Sequence, residues 1–180
     1  MSFSIITSAI ASKSSFSIIA PVGLFGNGST KSFVLSVMAS SSSSDGWHVP
    51  STAEWESLMT YMNSQSQYVC QSYYTDSFAK SLADSVAWAT HTQSCAVGNN
   101  LSENNATGFS ARPAGHMSIK FGNTPTILRP LYFGNNALFW SATETSLDIA
   151  DAYKIGYNEP NFYFSSASKY YGRSVRCVRD

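Results

Sequence analysis

Asp151, Tyr153, Ile155 and Tyr157 fall on every second position, so a strand through them carries all four side chains on one face. They sit in a stretch that opens with Phe139-Trp140-Ser141-Ala142-Thr143-Glu144 and closes with Gly172-Arg173-Ser174-Val175-Arg176-Cys177-Val178-Arg179. Between these anchors, frame-like positions alternate with a scatter of Tyr, Asp, Ser, Asn, Ile and Phe. Tyr, Ser and Asn on a rigid scaffold supply contact area and hydrogen bonds at low entropy cost. The carboxyl-terminal end is therefore expected to present a surface for recognition and not a centre for chemistry.

The 180 residues, with a formal net charge of +0, suit one domain with a single core. Only 12% of residues are charged while Ser, Tyr, Phe and Asn are abundant, which points to a β-rich globular protein. A balanced charge argues against nucleic acid, because phosphate binding needs a basic field. The small cluster Arg173, Arg176 and Arg179 does not change this; Arg176 and Arg179 read as strand-end charges pairing with nearby carboxylates. No apolar run reaches the roughly 18 residues that span a bilayer. Ile5-Ile6 and Ala9-Ile10-Ala11 resemble a weak signal core, but Lys13 follows them and no Lys or Arg precedes them, so a secretory signal is disfavoured. Of three cysteines, Cys70 and Cys95 could bridge in an oxidising compartment or stay as idle thiols, and Cys177 is left over. Their spacing fits no zinc pattern.

Residues 1–44 are Ser-rich and repeat a short theme at Ser2-Phe3-Ser4-Ile5-Ile6, Ser15-Phe16-Ser17-Ile18-Ile19 and Ser32-Phe33-Val34-Leu35-Ser36. Short strands completing a sheet, or a poorly ordered tail, both fit this pattern. Residues 45–180 are expected to form the compact domain. Ser51-Thr52-Ala53-Glu54 is a capping box, and the helix it opens places Trp55, Leu58, Met59 and Met62 on one stripe facing the core. A second helix is expected from Asp76 to about Ala83, with Phe78 and Leu82 inward. Residues 99–107 read as a polar loop, and short strands separated by Gly, Asn and Pro follow. Two helices and then many strands is an α+β layout.

Gly46-Trp47-His48-Val49-Pro50 with Ala53-Glu54-Trp55, then Lys80-Ser81-Leu82-Ala83, Cys95-Ala96-Val97-Gly98-Asn99, Gly108-Phe109-Ser110-Ala111-Arg112-Pro113-Ala114-Gly115, Phe139 to Glu144, and Ser174-Val175-Arg176-Cys177-Val178 occur in this order. Together they resemble the Fibrobacter succinogenes major paralogous domain over residues 45–180. The resemblance implies a C-type-lectin-like fold related to the formylglycine-generating enzymes, with two helices packed on a twisted, largely antiparallel sheet and long loops. Some members are variable proteins of diversity-generating retroelements, in which adenine-directed mutagenesis rewrites Asn codons. Ser146, Asp148, Ile149, Asp151, Tyr153, Ile155, Tyr157, Asn161, Tyr163, Ser165, Ser166, Ser168, Tyr170, Tyr171 and Arg173 are residue types reachable from such a codon. Lys154, Glu159, Lys169 and Trp140 are not. A Tyr- and Ser-rich β region of an ordinary, undiversified paralogue accounts for the same residues. The family often carries a Cys where Ser43 stands, so the usual partner of Cys177 is missing.

The chemistry-bearing residues are sparse. Glu159-Pro160-Asn161 matches the triplet with which mannose-type lectins hold calcium and sugar hydroxyls, but no Asn-Asp pair follows it, so calcium is a minor alternative and no other cofactor is expected. The formylglycine-generating relatives need paired cysteines near the carboxyl terminus, and only Cys177 is there. His48, His91 and His116 are isolated; His48 reads as a structural side chain. Asp148 and Asp151 fall on opposite faces of a strand and make a poor acid-base pair. Trp47, Trp55, Trp88 and Trp140 read as core.

The expected function is thus non-enzymatic ligand binding by the face and loops from Ser146 to Arg173. Trp140, Glu144, Lys154, Lys169 and Arg176 are expected to hold that surface rigid. The expected partner is a protein or glycan on another cell or virus, with the domain outside the cell, on its surface or on a virion. A calcium-dependent lectin and a non-variable adhesin paralogue are the alternatives.

Overall fold

A computed structural model describes residues 46–71, 76–120, 126–127 and 131–179; the short strands expected within residues 1–44 lie outside them. Among the described residues the first strand, β1 (Trp47–His48), leads into α1 (Thr52–Ser64). The capping box forms: the Glu54 amide donates to the Ser51 hydroxyl at 3.3 Å, and the Ser51 amide donates to the Glu54 carboxylate at 2.9 Å. His48 Nε2 meets the other carboxylate oxygen at 2.7 Å, which gives this histidine the structural role expected of it. Trp55, Leu58 and Met62 are buried, and Met59 packs against them from the side.

Burial alone would raise the Glu54 pKa, but the bonds from the Ser51 amide and hydroxyl and from His48 outweigh it and hold the carboxyl below its ordinary range. A carboxyl with a lowered folded-state pKa stabilises the fold above its unfolded pKa and loses that contribution as pH falls through the folded value. Ser51→Ala should cost about 1 kcal/mol at neutral pH and should flatten the acid limb of the stability profile. Denaturant titrations at several pH values would check both effects, and an unchanged acid limb would remove Glu54 from this role.

Helix α2 (Ala79–Leu82) is shorter than the sequence pattern suggests. Asp76 has a positive φ of 57° and its carbonyl accepts the Phe162 amide, so the chain bends there instead of winding. Phe78 and Leu82 are nevertheless both fully buried. After the turn Leu101–Glu103, strands β2 (Ile119–Lys120) and β3 (Thr126–Ile127) pair with each other. The largest sheet is an antiparallel meander of β4 (Asn136–Glu144), β5 (Ile149–Gly156) and β6 (Phe162–Ser168). Strand β7 (Val178–Arg179) returns to pair with β1, bringing the two ends of the domain together. Among the described residues, two helices and antiparallel sheets make an α+β arrangement.

Strands β4 and β5 of the meander are packed on both faces. On one face Phe139, Tyr153, Ile155 and Phe162 join Trp55, Leu58, Met62, Phe78, Leu82 and Val97 in the main core. On the other, Trp140, Ala150, Ala152 and Ala167 form a smaller cluster under Tyr171 and Val175. Strand β4 loses register between Trp140 and Glu144, and the bulge serves the helix. Ala142 donates to the Pro50 carbonyl at 2.9 Å, and the Thr143 hydroxyl accepts the Thr52 amide at 2.9 Å. Thus the Phe139-to-Glu144 motif fixes the helix amino terminus to the sheet.

The remaining family-like segments meet around the same core. Lys80 is buried and donates to the carbonyls of Asn99 and Asn100. A side chain at Gly98 would collide with the Ala89 carbonyl, so only glycine permits that approach. Cys70 and Cys95 form a disulfide across a separation of 25 residues, and Cys177 is free and exposed. Two expectations need correction. Trp47 is half-buried and not core, unlike Trp55, Trp88 and Trp140. Among the described residues Arg176 pairs with no carboxylate: it donates to the Phe109 carbonyl at 2.7 Å, and its guanidinium lies 3.8 Å from the centre of the Phe109 ring. Burial lowers its pKa to about 10.

Candidate ligand surface

The alternating residues of β5 do share a face, but it is the face turned to helix α1. Tyr153 is fully buried between Trp55, with ring centres 5.1 Å apart, and Phe162, at 5.4 Å. Burial raises its phenol pKa to about 12, with Glu56 and Asp151 adding to the shift. Ile155 is fully buried in the same cluster. Asp151 is buried and accepts hydrogen bonds from the hydroxyls of Thr52, at 2.6 Å, and Thr145, at 2.8 Å. Asn161 is also buried. Tyr157 is partly buried, packs against the main core and meets His91 edge-on at 5.7 Å. Asp151, Tyr153, Ile155 and Asn161 are therefore corrected from surface to interior, because a face that packs on the Trp55 stripe cannot also meet a ligand.

The other candidates are more accessible but spread along the sheet: the register sets Ser168 beside Ile149 at the β4–β5 turn and Tyr163 beside Lys154 toward the far end. The β4–β5 turn exposes Ser146, Leu147, Asp148 and Ile149, with Leu147 at 75% exposure. Lys169, itself buried, ties this turn down: Nζ donates to the carbonyls of Ser146 at 3.0 Å and Leu147 at 3.2 Å and meets Glu144 at 3.0 Å. The Lys169 amide bonds the Asp148 carbonyl at 2.9 Å, which places Ser168 and Tyr170 beside the turn. Along β6, Tyr163, Phe164 and Ser166 are exposed, while Ser165 and Ser168 are half-buried. Strand β6 is an edge of the meander; among the described residues no strand pairs with its outer side. Lys154 lies 5.9 Å from the Tyr163 ring centre and 3.8 Å from the Glu159 carboxylate. With Glu159 engaged there, Pro160 accepting the Ala79 amide and Asn161 buried, the Glu-Pro-Asn triplet serves the fold.

Tyr171 and Arg173 continue the same end of the molecule on the second face of the sheet. Gly172 exchanges hydrogen bonds of 2.8 Å with Met117 in both directions. Ser174 bonds β4 through the Trp140 amide and the Leu138 carbonyl, both at 3.0 Å. Arg173 is thus suspended between two anchored neighbours, with its guanidinium 5.1 Å from the Trp140 ring centre. Its Nε and Nη1 are buried without a hydrogen-bond partner, and burial lowers its pKa to about 10. His116 stands beside it. Its ring lies 4.9 Å from Tyr171 and 5.6 Å from Tyr132, and its Nδ1 is also buried without a partner. Burial and the neighbouring Arg173 both lower the His116 pKa.

Sequence reading missed His116, Tyr132, Leu147 and Phe164 as parts of this surface. Leu147 and Phe164 are large apolar side chains, which sequence alone assigns to a core as readily as to a surface. The two loop residues come near Arg173 only through pairings distant in sequence.

The described residues thus form an α+β domain with an edge strand that exposes Tyr163, Phe164 and Ser166. The sequence pattern of the Fibrobacter succinogenes major domain family matches residues 37–179, and the chain belongs to that family. No curated protein matches the chain, and no solved structure does. No helix among the described residues is long and apolar enough to cross a membrane.

Proposed function

We propose that this chain is a non-enzymatic ligand-binding domain of C-type-lectin-like architecture. Its recognition surface is the Ser146–Ile149 turn, the outward residues of β6, and Tyr170 to Arg173. The observation that carries this reading is the exposure of Leu147 at 75%, beside Ile149 at 39%, on a turn held rigid by Lys169, with Phe164 and Tyr163 exposed further along β6 on its two faces. Large side chains exposed together on an ordered element mark a contact site more often than chance scatter does.

The partner is a protein or glycan presented by another cell or a virus, and the domain works outside the cell, on its surface or on a virion. The Cys70–Cys95 bridge supports an oxidising setting. Diversification, if a retroelement drives it, is confined to the exposed positions. A template copy beside the gene should carry Asn codons at Ser146, Asp148, Tyr163, Ser166 and Tyr170 and none at Tyr153 or Ile155, since random side chains there would break the core.

The direct test is capture on glycan arrays and on intact bacterial and virion surfaces. A Leu147→Ser, Tyr163→Ser, Phe164→Ser triple variant should lose capture at least tenfold while keeping its melting temperature within a few degrees. Chelation of calcium should leave capture unchanged. Undiminished capture by the triple variant would remove this surface from consideration, and loss on chelation would restore the calcium-lectin reading.

A further inference from the structure

Most basic side chains of the domain have their charge answered. Lys80, Arg112, Lys154 and Lys169 each reach a carboxylate, and Arg176 is held by the Phe109 carbonyl and ring. Arg173 differs. Two of its guanidinium nitrogens are shut off from solvent with no acceptor, and no ion pair among the described residues reaches it. The group beside it is no anion but His116, whose Nδ1 is likewise buried and unpartnered. Leaving a charged donor desolvated and unpaired is among the costlier arrangements a fold can hold. Here two such groups adjoin, and both are fixed in place.

The fixing is backbone-borne. Paired hydrogen bonds to Met117 on one side and to β4 on the other set the Arg173 position. His116 is set by a reciprocal pair of bonds with Leu131, at 3.0 and 2.9 Å. Gly115 precedes it with a φ of 66°, and a side chain there would collide with the Leu131 carbonyl, so this junction tolerates only glycine. Neither Arg173 nor His116 is sealed, since both side chains are half-buried. Tyr132, 57% exposed, and Tyr171 flank the histidine ring, and Trp140 floors the guanidinium.

We propose that Arg173 and His116 form a subsite for the carboxylate of an acidic sugar. A carboxylate supplies the missing negative charge and reaches the guanidinium from its half-exposed side, the Nε and Nη1 positions being closed to solvent. The His116 imidazole gives a second polar contact. The exposed Tyr132 ring offers an apolar face on which the C–H side of a sugar ring can rest, which a bare inorganic anion would leave unused. This inference rests on the binding function proposed above and names a ligand class for one end of that surface.

The test uses the full chain and D-glucuronate, with D-glucose, acetate and inorganic phosphate as comparison probes. Calorimetric titration should show glucuronate binding at least tenfold tighter than acetate and no binding of glucose. Arg173→Gln should weaken glucuronate roughly 10- to 100-fold, and Arg173→Lys should recover only part of that loss. In the unmutated protein, the Arg173 Nε–H nitrogen resonance should move with glucuronate and stay in place with glucose, a readout that does not depend on any variant folding. Phosphate or acetate binding as tightly as glucuronate would overturn the sugar assignment. An unmoved Arg173 resonance would overturn the subsite altogether. If cell-surface capture survives in Arg173→Gln while glucuronate fails to bind, this inference falls and the wider surface stands. Glucuronate binding with capture unaffected by the Leu147, Tyr163 and Phe164 changes would do the reverse.

Discussion

Tyr153→Ala should lower the unfolding free energy by about 3–5 kcal/mol, the range for emptying a large aromatic site in a packed core. The ring is fully buried and stacks on both Trp55 and Phe162, with an edge contact to Phe164 at 5.7 Å. Nothing at the site is able to collapse into the space, because those partners are fixed by helix α1 and by strand β6 itself. Tyr153→Phe keeps the stack and gives up only a long hydrogen bond of 3.4 Å to the Thr52 carbonyl, so it should cost under about 1 kcal/mol. Urea unfolding of the two variants separates these outcomes. A wild-type midpoint for the alanine variant would return Tyr153 to the surface and restore the tyrosine row as a contact platform.

The second large effect is expected from the Cys70–Cys95 bridge. It closes a loop spanning 25 residues that contains helix α2. Constraining a loop of this length in the unfolded chain contributes about 3 kcal/mol. A Cys70→Ser, Cys95→Ser pair should lower the unfolding free energy by that amount and shift the melting temperature down by several degrees. The loss should equal that caused by a reductant on the unmodified protein, since Cys177 is the remaining thiol of the chain and is free already. Equal stability with and without reductant would show that the bridge does not form in solution.

Local features were legible wherever neighbouring residues settle the matter. The capping box at Ser51 and Glu54 formed because its bonds lie within one helical turn, and the stripe of Trp55, Leu58 and Met62 turned inward because no other face of α1 is apolar. The α+β layout followed from the order of those patterns. Lys169 was expected as a frame residue and is one, although its work, holding the β4–β5 turn through two carbonyls, depends on a hairpin geometry that composition does not reveal. Arg176 shows the opposite case. A carboxylate partner was the ordinary expectation, yet the chain path from Phe109 brings a carbonyl and a ring to it first.

What the chain alone determined is that Asp151, Tyr153 and Ile155 travel together, because side chains on a strand alternate whatever packs against them. Which of the two faces turns inward is not a local property. It was decided when the bulge in β4 docked the amino terminus of α1 over that side of β5, bringing Trp55 onto Tyr153 and leaving the opposite side to Trp140, Tyr171 and Arg173. Tyrosine serves a core or a contact surface equally well, its ring apolar and its hydroxyl polar. Only the position of the helix distinguishes the two uses.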